Sequence, residues 1–136
     1  MKIQKVSQTA FGQKDGNCFP ACLATLTGIP LSEFPFPPYV KGNWLRQVDK
    51  FLETKNLVYI EWAVTEAFPY FGRCLLIANG MGPRRLHHSI IVEHTIKKGC
   101  HTYSLWHDPF SDSEDDGLIT WEYVGTVLPK YTANVQ

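Results

Sequence analysis

The sequence lacks the long apolar run that a membrane-spanning helix would need, which is about 20 residues. The first residues, MKIQKVSQTAFG, also lack the continuous apolar stretch of a signal peptide. These two absences predict a cytoplasmic protein with no membrane partner.

The sequence also lacks an excess of charge of either sign. Thirteen Lys and Arg residues balance thirteen Asp and Glu residues, so the formal net charge is zero. No global field favours a nucleic acid, and we expect no nucleic-acid partner. Hydrophobic residues make up 44% of the 136 residues, and there is no repeat or low-complexity stretch. This composition is that of a globular chain, and the length predicts a single domain, 1–136.

Closely spaced cysteine pairs are missing too. The four cysteines are Cys18, Cys22, Cys74 and Cys100, and no two of them form a C-x-x-C motif. Their irregular spacing is unlike a disulfide framework, and a reducing compartment would keep them as thiols. The sequence points to no cofactor.

Helices are predicted in the first part of the chain and strands in the rest. The first helix is Phe19 to Thr27, with Asn17 as its cap and Gly28 as its end. Asn43 can cap a second helix, whose apolar face carries Trp44, Val48, Phe51 and Leu52. Helices followed by an antiparallel sheet define the α+β class. The predicted strands are Leu57–Val64, Cys74–Ala78, His88–Thr95, His101–Asp108 and Leu118–Val127, with a hairpin turn at Lys97-Lys98-Gly99.

Cys18 stands where the first predicted helix begins, in the stretch QKDGNCFPACLA. The unpaired N–H groups and the dipole of a helix N-terminus favour a thiolate and can hold an oxyanion. Cys22 lies inside the apolar run, as expected of a core residue. Cys18 is therefore the candidate nucleophile, although an inert core role is an open alternative.

A nucleophilic thiol needs an imidazole as its base and a group that orients the imidazole. His88 begins one apolar strand and Asp108 ends the next, so a hairpin would make them neighbours at one edge of the sheet. Taken singly, His88 fits a surface residue and Asp108 fits the opening of an Asp-Pro turn. His87 would replace His88 only if the strand register slipped by one residue.

Together these motifs resemble those of papain-like cysteine peptidases. The resemblance rests on Gln13, on the run Asn17 to Ala24, on the His88 strand and on Asp108-Pro109. It is nearest to the double-glycine leader peptidases of bacteriocin exporters. Small papain-like proteins of phages and bacteria are also similar, and Met81-Gly82-Pro83 fits the Gly-Pro loop that precedes their histidine strand.

The resemblance implies a papain-like fold, in which N-terminal helices pack on an antiparallel β-sheet. It makes Cys18 the nucleophile, His88 the general base and Asp108 the residue that orients the imidazole. The Gln13 side chain would join the Cys18 N–H in the oxyanion hole. The implied reaction is cleavage of an amide or isopeptide bond in a peptide, amide or small-molecule substrate, in the host cytoplasm if a phage encodes the protein.

Two further interpretations stay open. The same scaffold could capture a small ligand, such as a nucleotide, without turnover, as a phage anti-defence protein would. Arg84 and Arg85, beside Gly80 and Gly82, would then hold a phosphate or carboxylate. Alternatively, Cys18 and Cys22 with nearby histidines could bind a metal ion, although structural zinc usually shows closer ligand pairs. We predict no metal site.

Overall fold

The computed structural model describes residues 3–9, 17–35, 44–64, 74–82, 87–110 and 118–130. Within these ranges two helices precede five strands, which confirms the predicted α+β class. Each element lies within a few residues of its predicted bounds. The elements are α1 (Cys18–Thr27), α2 (Trp44–Thr54), β1 (Leu57–Ala63), β2 (Cys74–Met81), β3 (His87–Lys97), β4 (Cys100–His107) and β5 (Thr120–Pro129).

The five strands form one antiparallel sheet in the order β1-β5-β2-β3-β4. The last strand in sequence, β5, lies between β1 and β2. The predicted hairpin joins β3 and β4 through Lys98 and Gly99, whose φ angles are 51° and 79°. Positive φ at both positions is what a tight two-residue hairpin turn requires.

Helix α1 begins and ends near the predicted residues, but one detail of the prediction is wrong. Gly28 ends the helix in the left-handed region, and its N–H donates to Ala24 O. Asn17 holds the N-cap position, yet its side chain does not cap the helix. That side chain instead bonds to Thr9, because a buried tertiary partner competes successfully with the local cap.

Both helices pack on one face of the sheet. Helix α1 lies against β3, β2 and β5, and α2 lies against β1. The shared core contains Phe19, Cys22, Leu23, Ala24, Phe34, Val48, Leu52, Ile77 and Ile91. Burial of each large apolar side chain contributes about 1.5–3 kcal/mol.

A second cluster lies on the other face of the same strands, because neighbouring residues of a strand point to opposite faces. Its buried members are Leu76, Ala78, Ile90, Val92 and Val124. The central strands therefore carry buried residues on both faces of the sheet. Within the described ranges, no helix has both the length and the apolar character to cross a membrane.

Candidate functional site

Cys18 is the first residue of α1, and its side chain is half-buried. Its thiol lies close enough to the His88 imidazole to raise the pKa of that ring. A thiol in this position has both an imidazole and the N-terminal end of a helix beside it, which is the setting that a cysteine nucleophile needs.

His88 is the second residue of β3, and only 6% of it is exposed. Its Nε2 lies 2.7 Å from Oδ1 of Asp108, which is fully buried. The predicted contact between these two residues is therefore confirmed. Since Nε2 is held by Asp108, we infer that Nδ1 is the ring nitrogen available to Cys18.

A β-bulge makes the contact between His88 and Asp108 possible. Val92 pairs with Leu105, but Ile91 pairs with His107, so β4 carries one extra residue at this point. In an unbroken hairpin register Asp108 would stand opposite Ser89 and point to the face away from His88. The extra residue moves Asp108 to the same face as His88, where the two are diagonal neighbours.

The charge state of His88 follows from its surroundings. Burial lowers the pKa of His88, but the hydrogen bonds and negative charges of Asp108 and Cys18 outweigh it and raise the pKa to about 9. The ring is therefore an imidazolium at neutral pH. A positive ring between a thiol and a carboxylate can stabilise a thiolate and can donate a proton to a leaving group.

Asp108 forms a hydrogen bond within its own turn as well as the one with His88. The same Oδ1 accepts the Phe110 N–H at 2.8 Å, two residues further along the chain. This local bond is the one expected of an aspartate that opens an Asp-Pro turn. The turn fixes the carboxylate while it accepts the His88 N–H.

Gly82 lies directly behind the His88 ring. A Cβ at position 82 would stand 3.1 Å from His88 Cβ and 3.4 Å from its Cγ. Such spacing is tighter than ordinary van der Waals contact, so glycine leaves room for the ring in its present rotamer. This glycine belongs to the predicted Gly-Pro loop, whose next residues, 83–86, lie outside the described ranges.

The N-terminal segment, residues 3–9, is bonded to α1. The Thr9 N–H donates to Asn17 Oδ1 at 3.0 Å, and Asn17 Nδ2 donates to Thr9 Oγ1 at 2.9 Å. Further along the helix, the Val6 N–H donates to Thr25 Oγ1 at 2.9 Å. Because Asn17 is fully buried and precedes the candidate nucleophile, these bonds hold the start of the helix in place.

The same segment is bonded to the end of β4. His107 Nε2 donates to the Val6 carbonyl at 2.7 Å, and the Gln8 N–H donates to the Pro109 carbonyl at 2.8 Å. His107 and Pro109 flank Asp108. The N-terminal segment thus joins the strand end that carries the carboxylate to the helix that carries the thiol. The sequence did not reveal this role, because the segment has no periodic pattern. A histidine next to Asp108 was the signal available in the sequence.

Cys22 lies one turn beyond Cys18 and is fully buried. Burial raises its pKa well above the usual value, and the nearby charges of Cys18 and Asp108 raise it further. Cys22 is therefore a core thiol, as the sequence predicts.

Three predicted site residues, Gln13, Arg84 and Arg85, lie outside the residues that the structure describes. His87 is described and exposed, whereas His88 is buried, which agrees with the preference for His88. Of the predicted site residues in the described ranges, Cys18, His88 and Asp108 come together.

Histidines also meet at the other end of the β3–β4 hairpin. His94 Nε2 lies 2.8 Å from His101 Nδ1, and Cys74 Sγ lies 4.0 Å from His94 Nδ1. These contacts use the two opposite nitrogens of the His94 ring, which cannot both face one ion. In the described part of the chain, no group of three or more His, Cys, Asp or Glu side chains is arranged to hold a metal ion.

What the site does has to be inferred from its residues and their geometry. No family model matches the chain, and no curated protein or solved structure matches it.

Proposed function

We propose that the protein is a cysteine hydrolase that cleaves an amide or isopeptide bond through a thioester. One observation carries the proposal: the His88 ring is hydrogen-bonded to the buried Asp108 carboxylate and lies close enough to the Cys18 thiol for that thiol to raise its pKa. A nucleophile, a base and a residue that orients the base are the minimum set for this chemistry.

Acylation uses Cys18 and His88. The Cys18 thiolate attacks the carbonyl carbon of the substrate, a C–S bond forms, and the electron pair of the C=O bond moves to oxygen. As the carbonyl forms again, the C–N bond breaks, and the leaving nitrogen takes a proton from the His88 imidazolium. The products of this step are a free amine and an acylated Cys18.

Deacylation reverses the role of His88. The now neutral imidazole takes a proton from water while the hydroxyl oxygen adds to the thioester carbon. The C–S bond then breaks, releasing a carboxylic acid and restoring the thiolate beside the imidazolium. Asp108 accepts the Nε2–H in both steps and keeps Nδ1 directed toward the sulfur.

The placement of these residues on the fold supports a papain-like arrangement. The candidate nucleophile begins a helix, whereas the base and its carboxylate lie on the antiparallel sheet against which that helix packs. We propose Gln13 as the additional oxyanion donor in this arrangement. No described residue favours ligand capture, which would depend on Arg84 and Arg85.

The proposal is tested with p-nitrophenyl acetate as a general acyl donor, followed by a mixture of peptides of known sequence. We expect an acetyl group on Cys18, located by peptide mapping, and cleaved peptides that are missing with Cys18→Ala. Cys100→Ala is the matched control, because Cys100 is exposed and lies at the β3–β4 turn. Acetylation of Cys100 with none at Cys18, or a bound peptide recovered intact, would contradict the proposal.

A further inference from the structure

Polar side chains cross the sheet on the face that α1 covers, within an otherwise apolar layer. Asn79 Nδ2 on β2 donates to the Tyr59 hydroxyl on β1 at 3.3 Å, and that hydroxyl donates to Glu61 Oε2 at 3.0 Å. On the other side of Asn79, the Ser89 hydroxyl of β3 donates to Asn79 Oδ1. These contacts link an edge strand to the strand that carries His88.

Tyr59 reaches Asn79 only by passing over β5, which lies between β1 and β2. It passes at Gly125. A Cβ on residue 125 would overlap the Tyr59 hydroxyl and lie 2.7 Å from Tyr59 Cζ. A glycine inside a strand weakens the strand, and a close approach of this kind is a physical reason for one.

We call these hydrogen-bonded side chains the polar crossing: Glu61, Tyr59, Asn79 and Ser89. The polar crossing ends beside Cys18 and His88. The Tyr59 ring meets the edge of the Phe19 ring, with centroids 5.1 Å apart and planes at 80°. Phe19 follows Cys18 in the chain, and Ser89 follows His88. Contacts through Tyr59 and Asn79 therefore connect the direct neighbour of the thiol to the direct neighbour of the imidazole.

The Tyr59 hydroxyl stays neutral and keeps its proton. Burial raises its pKa far above the usual value, the Glu61 carboxylate raises it further, and the charge of Cys22 adds to this effect. Glu61 on β1 and Cys22 on α1 are the titratable groups that act on it. The neutral hydroxyl donates to Glu61, which is exposed, and accepts from Asn79, which is partly buried, so its removal breaks both contacts.

We propose that Tyr59 is a positioning residue that fixes the placement of Cys18 relative to His88. The ring supports the start of α1 through Phe19, and the hydroxyl holds the start of β3 through Asn79 and Ser89. This inference rests on the proposed function for its biological meaning. The geometric part of the inference is that Tyr59 controls the placement of the thiol relative to the imidazole. This part does not depend on any substrate.

The test is the rate of Cys18 alkylation by iodoacetamide from pH 5 to 9, followed at that cysteine by mass spectrometry. Tyr59→Phe keeps the ring and removes the hydroxyl. We expect the rate at pH 7 to fall by about tenfold and the midpoint of the pH profile to move, since small displacements of reacting groups have effects of this size. A Tyr59 that only stabilised the fold would change the melting temperature and leave the profile in place.

Tyr123→Phe is the matched control, because Tyr123 is a tyrosine of the same sheet with 45% of its surface exposed. Asn79→Ala breaks the same crossing at its next residue. It should move the profile in the same direction and, combined with Tyr59→Phe, add little further effect. It also provides the test if Tyr59→Phe does not fold.

The inference is overturned if the profiles of Tyr59→Phe and Asn79→Ala coincide with that of the unchanged protein, or if Tyr123→Phe moves the profile equally. Alkylation needs no substrate, so this outcome is separate from failure of the hydrolase proposal. A protein that cleaves no peptide can still show the shift, and an active hydrolase can lack it.

Discussion

His88 Nε2 and Asp108 Oδ1 lie 2.7 Å apart in the buried edge of the sheet, and a β-bulge in β4 places them on the same face. The carboxylate is held by a turn through Phe110 as well as by the imidazole. The pair is thus fixed by backbone geometry on both sides, which is what an orienting carboxylate requires.

Replacing Asp108 with Asn should lower the pKa of His88 from about 9. The amide can still accept the ring N–H and the Phe110 N–H, but it lacks the negative charge that offsets burial. NMR titration of the His88 ring measures this change directly. Glu53→Gln, an exposed change on α2, should leave the titration of His88 unchanged. A His88 pKa that stays near 9 in Asp108→Asn would show that the carboxylate charge is not the cause.

The same pKa shift predicts how stability depends on pH. The folded-state pKa of His88, about 9, lies above its usual value of 6.5. Its contribution to the free energy of unfolding is therefore fully present below pH 6.5 and is lost as pH rises through 9. Chemical denaturation should show that the free energy of unfolding falls more between pH 6 and pH 9.5 in the unchanged protein than in His88→Gln. His87→Gln, at the exposed neighbour, should behave like the unchanged protein; equal losses in all three would refute the assignment.

Gly82→Ala should slow Cys18 alkylation without a large loss of stability. The added methyl group would stand 3.1 Å from His88 Cβ and 3.4 Å from Cγ of the ring, and we expect it to displace the ring from the thiol. Gly99→Ala is the contrasting variant. Position 99 is open but has φ of 79°, so alanine there should cost about 1–2 kcal/mol of stability and leave the alkylation rate unchanged. If both variants lose stability and neither changes the rate, Gly82 has no role in placing the ring.

His107→Phe should destabilise the protein by about 1–3 kcal/mol, because the partly buried bond from His107 to the Val6 carbonyl is lost. The N-terminal segment would then hold the end of β4 less firmly, and hydrogen exchange of the Gln8 amide, which donates to Pro109, should become faster. Ser104→Ala, an exposed change on the same strand, should alter neither quantity. Unchanged protection of the Gln8 amide would mean that the segment does not depend on His107.

The elements were predictable from local patterns, but their order in the sheet was not. Apolar runs, Gly28 and the Lys98-Gly99 turn are local signals, and each appears in the structure as predicted. The insertion of β5 between β1 and β2 depends on pairing between distant residues. No local pattern encodes that pairing.

The sequence predicted that His88 and Asp108 would be neighbours, but it did not predict the geometry of their contact. A plain hairpin gives the correct strand ends but turns the carboxylate to the wrong face. The bulge that corrects this is a single extra residue, which the apolar pattern of β4 does not reveal. Gly125, by contrast, was an available signal, since a glycine within an apolar strand often marks a close approach such as that of Tyr59.

The most direct test of the central claim compares alkylation of the four cysteines by iodoacetamide at pH 7. The account predicts that half-buried Cys18 reacts faster than exposed Cys100, and that His88→Gln removes this preference, because the imidazolium promotes the thiolate. Faster labelling of Cys100 than of Cys18, or a preference that survives His88→Gln, would contradict it.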